Sequence, residues 1–183
     1  MLAPEPHLFG DDGRFPNSRY PVLVYRGVAT EPAAARAAVV RAEVVRPEVS
    51  RAALFERLFS RHQWPAAWRN GLYEQHHYHS AAHEVLGVYE GWVQARLGGE
   101  EGTLLELRAG DVIVIPAGVA HCNEAQSKDF RVVGAYPRGT EMDMFYGAPG
   151  ERPRTDSNIA RVPLPEQDPV FGAGGPLLEL WRA

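Results

Sequence analysis

The stretch Gly71-Leu72-Tyr73-Glu74-Gln75-His76-His77-Tyr78-His79-Ser80-Ala81-Ala82-His83-Glu84, continuing through Val85-Leu86-Gly87-Val88-Tyr89-Glu90 to Gly91, decides how this sequence folds. Asn70-Gly71 at its start is a tight-turn signal, and Leu72 to His79 reads as a strand. Residues two apart in a strand face the same way, so His77 and His79 aim both imidazoles into one space. A turn through Ser80 to His83 lets Glu84, entering the next strand, return to that interior. Two neutral imidazoles and a carboxylate are a common ligand set for one divalent ion, whether Fe, Zn, Mn or Ni.

Outward from this stretch the pattern stays β. Glu84 to Tyr89, Trp92 to Leu97, Thr103 to Leu107, Val112 to Ile115 and Phe130 to Tyr136 read as short strands. Turns separate them at Gly91, at Gly98-Gly99-Glu100-Glu101-Gly102 and at Ala109-Gly110-Asp111. This spacing points to an antiparallel sandwich or barrel. A second stretch, from Gly110 through the run Val112 to Ile115 and Pro116-Ala117-Gly118 to His121, would carry one more imidazole across the barrel.

The flanks differ in texture. Residues 1–20, broken by Pro4, Pro6, Gly10, Gly13 and Pro16, read as an irregular lead-in, followed by a strand at Val22 to Tyr25. Thr30 to Trp64 turns helical, although Ala33 to Val45 fits helix and strand alike. Ser50 to His62 is a clearer helix, with Ser50 as N-cap and a stripe of Leu54, Phe55, Leu58 and Phe59 suited to packing on a sheet. Residues 147–176 hold six prolines and five glycines, so neither a regular helix nor a central strand is expected there. They read as an extended arm on the barrel or on a neighbouring subunit, anchored by Leu177 to Trp181. The organisation expected is one domain over 1–183, with a lead-in at 1–69, a barrel core at 70–136 and the arm at 137–183.

Composition narrows the function classes. A net charge of −4 over 183 residues, with no basic run, gives no field for nucleic acid or an anionic membrane. The single cysteine, Cys122, allows no internal disulfide and fits a reducing cytosol. Met1 to Asp12 lacks the charged and apolar regions of a signal peptide, and no apolar run approaches a membrane span. A cytoplasmic protein with a small-molecule partner is expected. There is neither a P-loop nor a GxGxxG sequence, so no nucleotide cofactor is implied.

Other polar residues near the stretch compete for roles. His83 would take the place of Glu84 if the turn were one residue shorter, giving an all-histidine site. His76, of opposite parity to His77, reads as a surface or supporting residue. Tyr73 and Gln75 share parity with His77 and either line a pocket or fill the barrel. Asn123 shares parity with His121 and either donates to a metal-bound ligand or caps a turn. Cys122 reads as a small buried hydrophobe. Trp64, Trp68 and Arg69 either close the barrel mouth, or the two tryptophans pack the preceding helix on the sheet.

The first stretch resembles the first cupin motif, G-x5-H-x-H-x4-E-x6-G, at every defined position. The second resembles the second motif, G-x5-P-x-G-x2-H-x3-N, through His121 and then departs, with Ala125 at the asparagine position and Asn123 two residues early. A weaker likeness over nearly the whole chain is to an uncharacterised bacterial YjlB-type cupin family, through phrases such as NSRYPVLVYRG, GDVIVIPAGVAH and VVGAYP. The resemblance implies a mainly all-β fold, the cupin double-stranded β-helix or jelly-roll barrel, with one or two N-terminal helices. It implies one metal ion on His77, His79, Glu84 and His121, and a homodimer, since cupins often pair through sheet edges. A metal-dependent oxygenase or isomerase is the expected activity, with a non-catalytic binding or sensing module as the alternative. A storage role fits less well with an open ligand set.

Overall fold

A computed structural model describes residues 3–29, 50–138 and 140–182. The segment Ala33 to Val45, open between helix and strand in the sequence, lies outside the described residues. The strands are β1 (Glu5–Phe9), β2 (Ser18–Tyr25), β3 (Ala66–Asn70), β4 (Glu84–Glu90), β5 (Trp92–Leu97), β6 (Thr103–Arg108), β7 (Val112–Ile115), β8 (His121–Gln126) and β9 (Arg131–Ala135). All pair antiparallel, in a six-stranded sheet ordered β1-β2-β7-β4-β9-β3 and a three-stranded sheet ordered β6-β5-β8.

The burial of each strand follows from which faces are covered. Val22, Val24, Leu86, Val88, Ile113 and Ile115 point between the sheets, where they meet Val93, Leu97 and Leu107 of the small sheet. Their neighbours Leu23, Tyr25, Val85, Val112 and Val114 point to the outer face of the large sheet. That outer face is itself covered, so β2 and β7 read as continuous apolar runs rather than alternating ones. β5 has one solvated face, and its burial alternates residue by residue.

The cover is the helix α1 (Arg51–Arg61) and the C-terminal arm. Ser50 caps α1 by accepting from the Ala53 N–H. Ala52, Phe55 and Phe59 of α1 are buried against the sheet. Gly87 of β4 makes this close approach possible, because a Cβ there would lie 2.7 Å from the Phe55 ring. Burial of the two phenylalanines contributes about 2–3 kcal/mol each.

Four readings need correction. The lead-in contains the edge strand β1, whose Pro6 is tolerated because an edge strand leaves one side unpaired. Strands β3 and β8, rich in alanine or polar residues, add to the strands expected from the sequence. Leu72 to His79 is not a strand; it crosses from the β3 edge of the large sheet to the β8 edge of the small one, with only isolated bridges at His77 and Tyr78. The arm is not wholly extended: between Pro153 and Pro163 it forms α2 (Arg154–Ile159), and it ends in α3 (Pro176–Leu180). The arm lies on its own barrel, where Asp168 fastens it. The Asp168 carboxylate accepts from Tyr25 Oη at 2.7 Å and from the backbone N–H groups of Val170, Phe171 and Leu177.

Candidate metal centre

His77 and His121 sit opposite one another and exchange two backbone hydrogen bonds, His77 N–H to His121 O at 3.1 Å and His121 N–H to His77 O at 2.9 Å. This bridge keeps local strand parity although the segment is irregular. His77 and His79 therefore turn inward, while Tyr78 turns the other way to pack on Phe15 and hydrogen-bond Glu151 and Thr155. Glu84 opens β4 with the parity of Leu86 and Val88, so its carboxylate enters the space between the sheets.

The nitrogens of His77, His79 and His121 lie within 4.8 Å of one another, and all three rings are buried. Glu84, only 3% exposed, places Oε2 3.5 Å from His79 Nε2 and 3.4 Å from His121 Nε2. Each Nδ1 faces a backbone carbonyl: that of Gln75 for His77 at 3.0 Å, that of Asp143 for His79, and that of Val119 for His121 at 3.0 Å. A carbonyl can only accept, so each Nδ1 carries a proton, and in the neutral ring each Nε2 presents a bare lone pair. His121 Nε2 is buried with no hydrogen-bond partner. Converging lone pairs with a carboxylate among them suit a cation, and the backbone carbonyls fix the rings as supporting partners do around metal sites.

The electrostatics agree with this geometry. Burial, helped by the neighbouring His121 and His79, pushes His77 down to about 3. For His79 burial acts downward too, but Glu84 outweighs it and the imidazole is raised. Burial alone would raise Glu84, yet His79 and His121 overcome it and hold the carboxyl well below its usual range.

Two supports were not legible beforehand. Tyr136 donates from Oη to Glu84 Oε1 at 2.9 Å, and Trp68 Nε1 donates to Tyr136 Oη at 3.1 Å. Tyr136 continues the parity of Val132 and Gly134, which was the available signal for its inward direction. Gly134 must lack a side chain here, since a Cβ would lie 2.2 Å from Trp68 Cζ2. Asp143 accepts from Ser80 N–H at 2.6 Å, Ser80 Oγ at 2.5 Å and Ala81 N–H at 3.1 Å, which locks the turn after His79 to the arm. Above these groups opens a cavity of about 140 Å³. Trp68, Leu72, Tyr73, Tyr136, Met142 and Met144 line it.

The model of the family described as "Cupin" matches residues 69–141. A protein of Bacillus subtilis (strain 168), "Uncharacterized protein YjlB", is 37% identical over 176 residues, covering 96% of this chain and 94% of its own. The chain belongs to the cupin family. Among solved structures, a procruciferin 11S globulin from Brassica napus is 19% identical and covers 44% of this chain and 21% of its own, with a TM-score of 0.37. An 11S allergen from Cocos nucifera is 21% identical and covers 49% and 30%, also at 0.37.

The remaining candidates in this cupin separate cleanly. His83 has the parity of Val85 and faces the outer layer, against Trp181 and Tyr20, with Nδ1 accepting from the Ala117 N–H at 3.0 Å. Burial lowers it to about 4. It stands apart from the cluster. Tyr73, 58% exposed, lies at the cavity mouth edge-on to His77. Gln75 is exposed and serves through its backbone carbonyl. Asn123 turns to Gln126 Oε1 and the Leu72 carbonyl, and its N–H binds the Tyr73 carbonyl, so it secures the crossing segment. After His121 the chain continues as β8, with a bulge at Glu124, just before the Ala125 that replaces the motif asparagine. Cys122 is buried with Sγ 3.4 Å from His76 Nε2. Trp64 packs under α1 and the arm, while Arg69 turns outward to Glu56.

Proposed function

We propose that this cupin is a metal-dependent enzyme, an oxygenase or an isomerase, acting on a small molecule. The observation that carries the reading is the convergence of His77, His79, His121 and Glu84 Oε2, with His77, His79 and Glu84 lining a cavity that also takes in the exposed Tyr73 and Met142. His77, His79, Glu84 and His121 would hold the ion. A divalent ion there supplies Lewis-acid polarisation of a bound oxygen, and iron in addition supplies dioxygen chemistry. The chain itself orients the donors through its backbone carbonyls. It holds Glu84 by Tyr136, and it limits water with Trp68, Leu72 and the two methionines.

The test begins with elemental analysis of the purified protein, and of His79→Ala. Oxygen uptake by the iron form and proton exchange by the manganese and zinc forms follow, on enediols, hydroxyketones and 2-oxo acids. Turnover lost in His79→Ala supports the enzyme reading. Tight binding by calorimetry without turnover in any metal form replaces it with a metal-dependent binding module.

A further inference from the structure

The walls of the cavity carry information about what enters it. Trp68, Leu72, Met142 and Met144 present apolar surface, and no lysine or arginine lines the cavity among the described residues. Arg69, next to Trp68, faces away and is bound through two nitrogens to Glu56. The buried polar groups on the wall are already committed, and the two others, Asn70 and Tyr73, stand exposed at the rim. Trp68 Nε1 is spent on Tyr136, and the Tyr136 hydroxyl is spent on Glu84. Asn70 uses its Oδ1 for the Gly71 N–H at the rim. Outside the histidines and Glu84, an incoming anionic group would find no buried cation and would lose its hydration. The volume of about 140 Å³ suits one small ring or a short carbon chain.

We infer that this cavity takes a compact ligand with a single oxygen-chelating head and an uncharged, apolar remainder, and that it rejects doubly anionic ligands such as dicarboxylates and sugar phosphates. The inference rests on the metal-site reading for the head alone; the tail is read from the wall. Trp68 and Tyr136, joined by a hydrogen bond, line the space for the tail. Met142 and Met144 line it too, with unbranched thioethers that adapt to its shape. Specificity would then come from desolvation rather than from a complementary charge.

The experiment uses two probes with the same head, 2-oxopentanoate and 2-oxoglutarate, titrated by calorimetry into the cobalt-loaded protein. The neutral tail is expected to bind at least about ten-fold more tightly. Met142→Lys, an exposed position at 42%, places a cation on the wall and is expected to move the ratio at least about ten-fold toward 2-oxoglutarate. Equal or tighter binding of 2-oxoglutarate by the unaltered protein overturns the inference, as does failure of both probes to bind a protein that retains cobalt. If the protein takes up no cobalt, the metal reading fails instead. The same pair is then compared on the metal-free protein by tryptophan fluorescence, where a preference for the neutral tail supports the wall reading and its absence overturns it.

Discussion

Tyr136 anchors Glu84: its hydroxyl donates at 2.9 Å to Oε1, leaving Oε2 to face His79 and His121. This divides the carboxylate into a held oxygen and an offered one. Tyr136→Phe keeps the ring and removes the donor. Metal affinity is expected to fall about ten- to a hundred-fold, measured by competition with a chromophoric chelator. Trp68→Phe, one bond further out, should cost less.

Asp143 tests the turn that follows His79. Asp143→Ala strips the acceptors from Ser80 and Ala81 and frees the backbone whose carbonyl orients the His79 ring. Metal affinity should drop by about ten-fold or more, and folding stability by about 1–3 kcal/mol, read by chelator competition and urea denaturation. Asp143→Asn keeps an acceptor oxygen and should recover part of both.

His79 and His83 should part company. His79→Ala and His121→Ala are expected to abolish metal retention in elemental analysis. His83→Ala should retain the metal and lose about 2 kcal/mol or more of stability, because it deprives the buried Ala117 N–H of its acceptor and opens a gap beside Trp181.

Acid should weaken the metal-free protein in a defined window. His77 is lowered to about 3 and His83 to about 4, both from an ordinary 6.5 and both chiefly by burial. Below pH 6.5 the unfolded chain takes up these protons and the native one does not. Stability therefore falls as pH drops from 6.5 toward 4, by up to about 1.4 kcal/mol per pH unit for each imidazole. His79, raised by Glu84, acts at higher pH: its contribution is full below 6.5 and is lost as pH climbs through its folded value. Glu84, held low by the imidazoles, adds to the acid loss below 4.5. Urea denaturation from pH 4 to 8 in chelator reads the slope, and His83→Gln should reduce it.

The parts of this molecule visible in the sequence are those set by local pattern. Strands β4, β5, β7 and β9 are alternating or β-branched runs between glycine turns, and Ser50 announces α1. Strand β1 hid behind Pro6 and the Pro4 just before it, β3 and β8 behind weak strand formers, since all three lie at sheet edges where pairing rather than propensity decides. Within the candidate site, parity located His77, His79 and Glu84 and set His83 aside only once the covered outer face was known. Asp143 and Tyr136 come from far along the chain, and neither contact has a local signature.

The match to the family model stops at residue 141, whereas the carbonyl that orients His79 belongs to residue 143 and the bridge that seats Tyr78 to residue 145. The smallest unit that works is therefore longer than the unit that is recognised. A protein cut at residue 141 would keep all three histidines and Glu84, yet the His79 ring would be free to rotate and exchange its proton between nitrogens. Any transplant of this centre into another barrel must carry the strap from 142 to 155 along with the strands.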